Sequence, residues 1–396
     1  MFDLASVQTS IKQLGLDGWL LYDFRGSNVL ARRVVGIGPD KFFSRRWFYF
    51  IPAEGEPKKL VHRIEPKSLE HLPGSAQAYL KWQELEAGVE SLVQGSKKVA
   101  MEYVPRNANP YVSRVDAGTV ELVKSFGVEI IPSGDLIQLF EAVWDDEQWA
   151  LHQEAAKHTS AAFDLVFKFI ADSVTSGKTI RETDVQQVIM DHFAKNNMFT
   201  DHAPICGVGP HSGDPHYAPE VGKDSEIQEG DFVLVDLWAK MNKPRGVYSD
   251  LTWTCFVGKE VPEKYTKVFK IVAAARDAAI EFVRTSFANN EVIQGWQVDK
   301  AARDVIEEAG YGEYFFHRLG HSIGQETHGN GANMDNLETK EERRVMPSTC
   351  FSIEPGIYMA EFGVRSEVDV FVDQNGQVHV TGPTPQTEVV ALLAGR

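Results

Sequence analysis

Residues 351–372 read FSIEPGIYMAEFGVRSEVDVFV. Two apolar, strand-like runs flank the turn-forming stretch MAEFG. Each run carries one glutamate, Glu354 or Glu367, where a buried strand would carry an apolar residue. A lone buried carboxylate costs on the order of several kcal/mol unless it is neutralised, paired or bound to a cation. The two positions are symmetric about the midpoint between Ala360 and Glu361, so a hairpin centred there sets Glu354 opposite Glu367. Cβ atoms of opposed residues lie about 5 Å apart, and like charges at that distance repel unless something positive lies between them.

The same device occurs upstream, in DFVLVDLWAKMNKPRGVYSDLTWTCFVG at 231–258. Two strand-like runs flank KMNKPRG, which is rich in turn formers. A hairpin centred near Lys243 would place Asp236 opposite Asp250. Four carboxylates on one sheet face call for more than one cation. Between the hairpins, HRLGHSIGQETHGNG offers His317, His321 and His328. His317 and His321 have the i, i+4 spacing of a helical zinc pair, but Gly320 and Gly324 argue against a helix and HExxH is absent. One imidazole with four carboxylates is an oxygen-rich set that suits a pair of Mn²⁺, Co²⁺ or Zn²⁺ ions. Two such ions can activate a shared water and polarise a carbonyl.

The chain has 396 residues, enough for two or three domains. Its net charge of −16 disfavours a nucleic-acid or anionic-membrane partner, which would need a basic footprint. No apolar run reaches the ~20 residues of a membrane span. The first residues, MFDLASVQTSIKQLGLDG, lack the basic and apolar regions of a signal peptide. The three cysteines, Cys206, Cys255 and Cys350, are widely spaced and read as reduced thiols of a cytoplasmic protein.

Residues 1–142 alternate helical and strand patterns, as in SVQTSIKQLG, DGWLLYD and RRWFYFIP, and form an α/β domain without a nucleotide-binding glycine motif. From 143 to 396 the texture changes. DDEQWALHQEAAKHTSAAFDLVFKFIADS predicts a long amphipathic helix with acids in its first turn. TIRETDVQQVIMDHFAKNN predicts a second helix, and strands follow. Two more helices and another set of strands come next, which suggests a duplicated half with a helix-covered sheet, an α+β arrangement. His211 and His216 lie in the loop GPHSGDPHYAP; taken alone, each is an ordinary loop histidine. Trp238 and Trp253 read as packing residues.

VDLWAKMNKPRGVYSDLTWT, HRLGHSIGQETH, FSIEPGIY and GVRSEVDVFV resemble, in type and order, the motifs of the pita-bread metallopeptidases, the Xaa-Pro aminopeptidase, prolidase and creatinase group. The resemblance covers the C-terminal ~250 residues well; residues 1–142 resemble that group's creatinase-type N-terminal domain less specifically. It implies a 143–396 pita-bread catalytic domain and two divalent ions, manganese first. Their ligands would be Asp236, Asp250, His321, Glu354 and Glu367. Asp250 and Glu367 would bridge both ions, and an activated water would attack the scissile carbonyl. Glu354 would shuttle the proton, His216 and His328 would face the substrate, and His328 would steady the tetrahedral intermediate. Arg365 would pair with acids of the site. The substrates implied are short proline-containing peptides, and the assembly a homodimer.

Some positions depart from the group's pattern. Trp238 stands where a small residue is common, and Trp253 where an arginine is common. Three extra residues lengthen the first hairpin turn. Prolidases tend to carry an arginine soon after the second histidine to hold a dipeptide's carboxylate; here that stretch is HGNGANMDNLE. The expectation is therefore an Xaa-Pro aminopeptidase. A strict Xaa-Pro dipeptidase and a hydrolase of small non-peptide C–N compounds are the alternatives.

Overall fold

The computed structural model describes residues 3–395 and divides into two compact units, one up to Phe140 and one from Glu141. The division falls two residues before the one expected from the sequence.

The first unit is an open six-stranded sheet. Its strands are β1 (Gly18–Asp23), β2 (Trp47–Pro52), β3 (Lys58–His62), β4 (Ser75–Tyr79), β5 (Lys98–Met101) and β6 (Glu129–Pro132), in the order β4-β3-β2-β1-β5-β6. Only β2 runs against the others. All six residues of β1 are buried, because both faces of the sheet are covered. Trp19 and Leu21 pack with helices α1 (Leu4–Gln13), α2 (Val29–Val34) and α5 (Gly134–Glu141). Leu20 and Tyr22 point the other way, to α3 (Trp82–Val93) and α4 (Ala117–Ser125).

The second unit contains the expected double helix-then-strand order. Helix α6 (Asp146–Thr175) starts where the Asp145 carboxylate accepts the Gln148 N–H at 3.1 Å, with Asp146 and Glu147 in the first turn. Helix α7 (Glu182–Lys195) follows. The first half-sheet comprises β8 (Met198–Phe199), β9 (Ile205–Val208), β11 (Phe232–Met241), β12 (Tyr248–Phe256) and β19 (Val390–Ala391). Helices α8 (Glu263–Ala288) and α9 (Gly295–Glu308) open the second half. Its sheet is β13 (Ser322–Ile323), β14 (Thr349–Ile353), β17 (Val368–Val372) and β18 (Val378–Thr381), and a short ribbon of β15 (Gly356–Tyr358) and β16 (Gly363–Arg365) extends the β14–β17 hairpin.

The two-residue period of the strands decides where the acids point. Val233, Val235, Leu237 and Leu251 pack under Phe163, Val166 and Ile170 of α6, so Asp236, Asp250 and Thr252 lie on the opposite face. Phe351, Ile353, Val368 and Val370 pack against α8 and α9, which turns Ser352, Glu367 and Asp369 away from those helices. The two polar faces meet. The Asp250 N–H donates to Asp369 Oδ2 at 3.0 Å, and the Glu367 N–H donates to the Thr252 carbonyl at 3.2 Å.

The second hairpin has the expected register. Ile353 pairs with Val368 and Gly356 with Arg365, which sets Glu354 across from Glu367 at the break between the two ladders. The first hairpin does not. Asp236 pairs with Thr252, and Asp250 pairs with Trp238. The cause is the turn: Pro244, with its preset φ, takes the second position of a four-residue turn closed by Gly246 N–H to Lys243 O at 3.0 Å, and Arg245 takes φ 63° at the third. The expected centre at Lys243 was one residue early, so the pairing slips by two. An even slip preserves the face, and the two aspartates remain neighbours on the diagonal.

Trp253 packs as expected, stacked on Phe163 with ring centroids 5.4 Å apart. Trp238 lies on the acid-bearing face and donates its indole N–H to Asp201 at 2.9 Å. Among the described residues no helix is long and apolar enough to cross a membrane. All three cysteines are buried and free.

A third, small ladder fastens the start of α7. Strands β7 (Ile180–Arg181) and β10 (Glu226–Ile227) pair antiparallel. Beside them, Asp224 accepts from Arg181 Nε at 3.0 Å and Thr183 Oγ1 at 2.5 Å. Burial works to raise the Asp224 carboxyl, but these donors outweigh it and hold the group at about 2. Its folded pKa is below the unfolded value, so its contribution to stability is present above about pH 4 and fades as pH falls toward 2. Asp224→Asn should flatten the loss of thermal stability in that window and lower stability at pH 7, read from melting curves at several pH values.

Candidate metal centre

Asp250, His321 and Glu367 each present a ligand atom within 4.8 Å of the other two, and all three are buried. His321 Nε2 is 3.6 Å from Asp250 Oδ2 and 3.4 Å from Glu354 Oε1. Its Nδ1 faces the Ser322 carbonyl at 3.2 Å. A carbonyl can only accept, so the ring hydrogen belongs on Nδ1 and the Nε2 lone pair faces the acids. Burial above all, then the neighbouring His328 and Arg318, pushes the His321 pKa well down and keeps the imidazole neutral, as a metal ligand must be.

Asp236 is turned slightly aside. One of its oxygens accepts from Arg365 Nη2 and the other lies 3.0 Å from Thr252 Oγ1. Thr252 Oγ1 also lies 2.7 Å from Glu367 Oε2 and accepts from Arg365 Nε at 2.9 Å. The threonine hydroxyl thus links the ligands of the two hairpins. Arg365 is 3% exposed, which places it behind the acids as their partner. Sequence analysis did not pick out Thr252, although its two-residue spacing from Asp250 puts it on the same face.

The electrostatics are those of a cation site. Burial, followed by the charge of neighbouring Asp236, pushes Asp250 well above the usual carboxylate range. Burial, followed by Asp250, does the same to Glu367, and Glu354 is raised to about 7, mainly by burial. Against these four carboxylates stand Arg365, which bonds to Asp236, and the charge of Arg318 at Glu354. The donor set of four carboxylates and one neutral imidazole fits divalent ions with oxygen preference. Glu354 is the most open of the acids, with 15% of its side chain exposed against 6% for Asp250.

The histidines separate by environment. The His328 ring lies 4.2 Å from that of His321, centroid to centroid. Burial, then Arg318, lowers His328 to about 4, so it is neutral and keeps one N–H donor. His216 is exposed. His317 is not a ligand. Its Nδ1 contacts the Arg318 carbonyl at 2.6 Å, so its Nε2 accepts from the Tyr358 hydroxyl at 2.9 Å. That hydroxyl in turn accepts from Arg365 at 3.2 Å.

The loop that carries His216 has its own anchor, which the sequence did not signal. Glu182, fully buried, accepts from Val208 N at 2.7 Å, Ser225 N at 2.8 Å and the Tyr217 hydroxyl at 2.6 Å. It also meets His211 Nδ1 at 2.9 Å, and the His211 ring stacks on Tyr217. His211 is therefore a structural partner of Glu182. The loop is further tied to the β15–β16 ribbon by Gly363 N–H to Ser212 Oγ at 2.9 Å.

Known proteins similar to this chain in sequence and fold are numerous. The Probable dipeptidase PepE of Mycobacterium tuberculosis is 29% identical over 344 residues, spanning 85% of this chain and 84% of that protein. The Xaa-Pro dipeptidase of Pyrococcus furiosus is 32% identical over 213 residues, 53% of this chain and 56% of that one. The crystal structure of Dipeptidase PepE from Mycobacterium ulcerans superposes with a TM-score of 0.63 at 25% identity, covering 98% of this chain and 96% of its own. These likenesses confirm the pita-bread fold, and its metallopeptidase family model matches residues 150–374, which include Asp236, Asp250, His321, Glu354 and Glu367. With that match over more than half its length, the chain belongs to metallopeptidase family M24.

Proposed function

We propose that this protein removes the N-terminal residue of short peptides whose second residue is proline. The observation that carries the reading is the buried cluster of Asp250, His321 and Glu367, drawn from two hairpins and a loop, with Glu354 Oε1 3.4 Å from His321 Nε2 and Asp236 joined to Glu367 through the Thr252 hydroxyl. Asp236, Asp250, His321, Glu354 and Glu367 would hold two divalent ions, manganese by preference. When bound, the ions supply Lewis acidity toward the scissile carbonyl and a nucleophile from water at neutral pH.

The chain's own groups do the rest. Glu354, the acid most open to the cleft, accepts a proton at its carboxylate and returns it to the leaving proline nitrogen. His328, neutral and beside His321, donates its N–H to the oxyanion that forms. His216, on the exposed loop, contacts the peptide. Arg365 and Thr252 keep Asp236 and Glu367 aimed at the same point.

A dipeptide-restricted activity is the second reading, and one observation favours it. The case for an aminopeptidase rested on the lack of an arginine after His328. Arg318, upstream of His321, brings a guanidinium charge to Glu354, His321 and His328. A cation is thus at hand for a free C-terminal carboxylate. The relatives named as dipeptidases agree with this alternative.

Chelated and Mn²⁺-reloaded protein, assayed on Xaa-Pro and Xaa-Pro-Yaa, separates the readings. Tripeptide turnover that depends on metal is the expected result. Turnover of the dipeptide alone assigns a dipeptidase, and turnover of neither sinks both. If Arg318 holds a dipeptide's carboxylate, Arg318→Ala should raise the dipeptide KM by ~10-fold or more and leave tripeptide kcat/KM within ~2-fold.

A further inference from the structure

The N-terminal unit contains a cleft of about 1030 Å³, at the upper end of the range for small-molecule sites. It opens where β1, β3 and β4 end, at Tyr22, His62 and Tyr79. These strands run parallel, so the opening lies on the carboxyl edge of the sheet, the edge at which open α/β sheets bind ligands. None of its lining belongs to the metal centre.

Its floor offers donors without acceptors. His62 is 8% exposed, and its Nδ1 accepts the Ile64 N–H at 3.1 Å. The ring hydrogen is therefore on Nε2, which has no hydrogen-bond partner among the described residues and lines the cleft. The ring stands edge-on to Tyr79, centroids 4.9 Å apart, and the Tyr79 hydroxyl donates to the Arg46 carbonyl at 2.9 Å. Arg46 is half-buried beside them. Neither Arg46 nor Arg25 has an ion-pair partner among the described residues. The wall acid, Asp116, is engaged by the Thr119 N–H at 2.9 Å and hydroxyl at 2.8 Å. Around this floor stand three exposed rings: Phe24, Phe42 and Trp82, the last two more than 60% exposed. Arg25 lies over the Phe42 ring, 5.9 Å from its centroid, and exposed rings gathered round guanidinium groups that lack a carboxylate partner mark a recognition site more than a solvated face.

We propose that this cleft binds a small carboxylate carried on an aromatic body. The carboxylate sits on Arg46 and the His62 Nε2–H, and the ring lies among Trp82, Phe24 and Phe42. Two planar oxygens match one guanidinium fork. Asp116 and Glu86 line the same cleft and would repel a dianion, and the domain has no glycine-rich loop to cradle a phosphate.

The test titrates 2-naphthoate into the metal-loaded, full-length protein and follows tryptophan fluorescence and heat. Saturable binding is expected, ~10-fold weaker for the neutral 2-naphthamide and ~10-fold weaker in Arg46→Gln. Trp82→Ser, at an exposed position, should weaken binding without disturbing the fold, and peptidase turnover should be unchanged in both variants. Three results would overturn the proposal. One is no saturable binding. Another is wild-type affinity in both variants, which would put the ligand at another place on the protein. The third is equal competition by inorganic phosphate, which means an adventitious anion only. A mass doubling that Phe42→Ser abolishes, with no naphthoate bound, would assign the aromatic rim to a second copy of the chain and count equally against it.

Discussion

Asp250→Asn should leave the protein folded, unable to load two ions, and slower in kcat/KM by on the order of 10³-fold or more. The side chain keeps its shape, so the change is one of charge. Asp250 is buried, and its carboxylate lies 3.6 Å from His321 Nε2 and within the same 4.8 Å cluster as Glu367. An amide there offers one neutral oxygen where the site has an anion. The same substitution should affect the chelated protein in the opposite direction. Without a cation, burial and the neighbouring Asp236 make the Asp250 charge unfavourable. Removing it should raise the melting temperature of the metal-free protein by about 2–4 °C for each kcal/mol relieved. The measurements are metal content per chain, turnover, and melting curves with and without chelator. Full activity with two ions bound would show that Asp250 is not a ligand.

Gly320→Ala should be among the most damaging single methyl additions in the second unit, and it falls beside the metal centre. A Cβ on Gly320 would lie 2.0 Å from the Ser352 carbonyl oxygen and 2.9 Å from its hydroxyl. Ser352 is on β14, two residues before Glu354, and its hydroxyl accepts the His321 N–H at 3.0 Å. Gly320 also exchanges two backbone hydrogen bonds with Met334, at 3.0 and 3.1 Å, so it cannot step back without breaking them. Overpacking against backbone costs ~3 kcal/mol or more when nothing can yield. The strain falls on His321 and Glu354 together. Denaturant melts should show the stability loss, and the metal affinity of whatever remains folded should drop in parallel. A Gly320→Ala protein with wild-type stability would mean that this approach is looser than the structure has it.

Much of the site was legible because its residues are expensive to bury. Acids at Glu354, Glu367, Asp236 and Asp250 interrupt apolar strands, and that anomaly survives without any coordinates. The register of the second hairpin was readable from symmetry, because its two ladders keep one centre through the break at Glu354 and Glu367. The first was misplaced by one residue at its centre because Pro244 chose the turn, a local choice that symmetry of the acids does not reveal. The face survived the error because strand side chains alternate with period two.

Other features depended on distant contacts. Glu182 is a single acid with no sequence anomaly around it, and Asp369, though it interrupts the apolar run VDVFV, has no symmetric acidic partner to mark it. Their roles come from partners 26 to 43 and 119 residues away. The charge of Arg318 on Glu354 and His328 is likewise invisible to an argument drawn from residues after His328 alone. The sequence by itself determined the paired helix-and-strand plan, the acids and their faces, because periodicity and the cost of burying charge act locally. Only the tertiary structure decided which acid opposes which residue and which histidine aims its lone pair inward, since those depend on turn geometry and on long-range packing that no local pattern encodes.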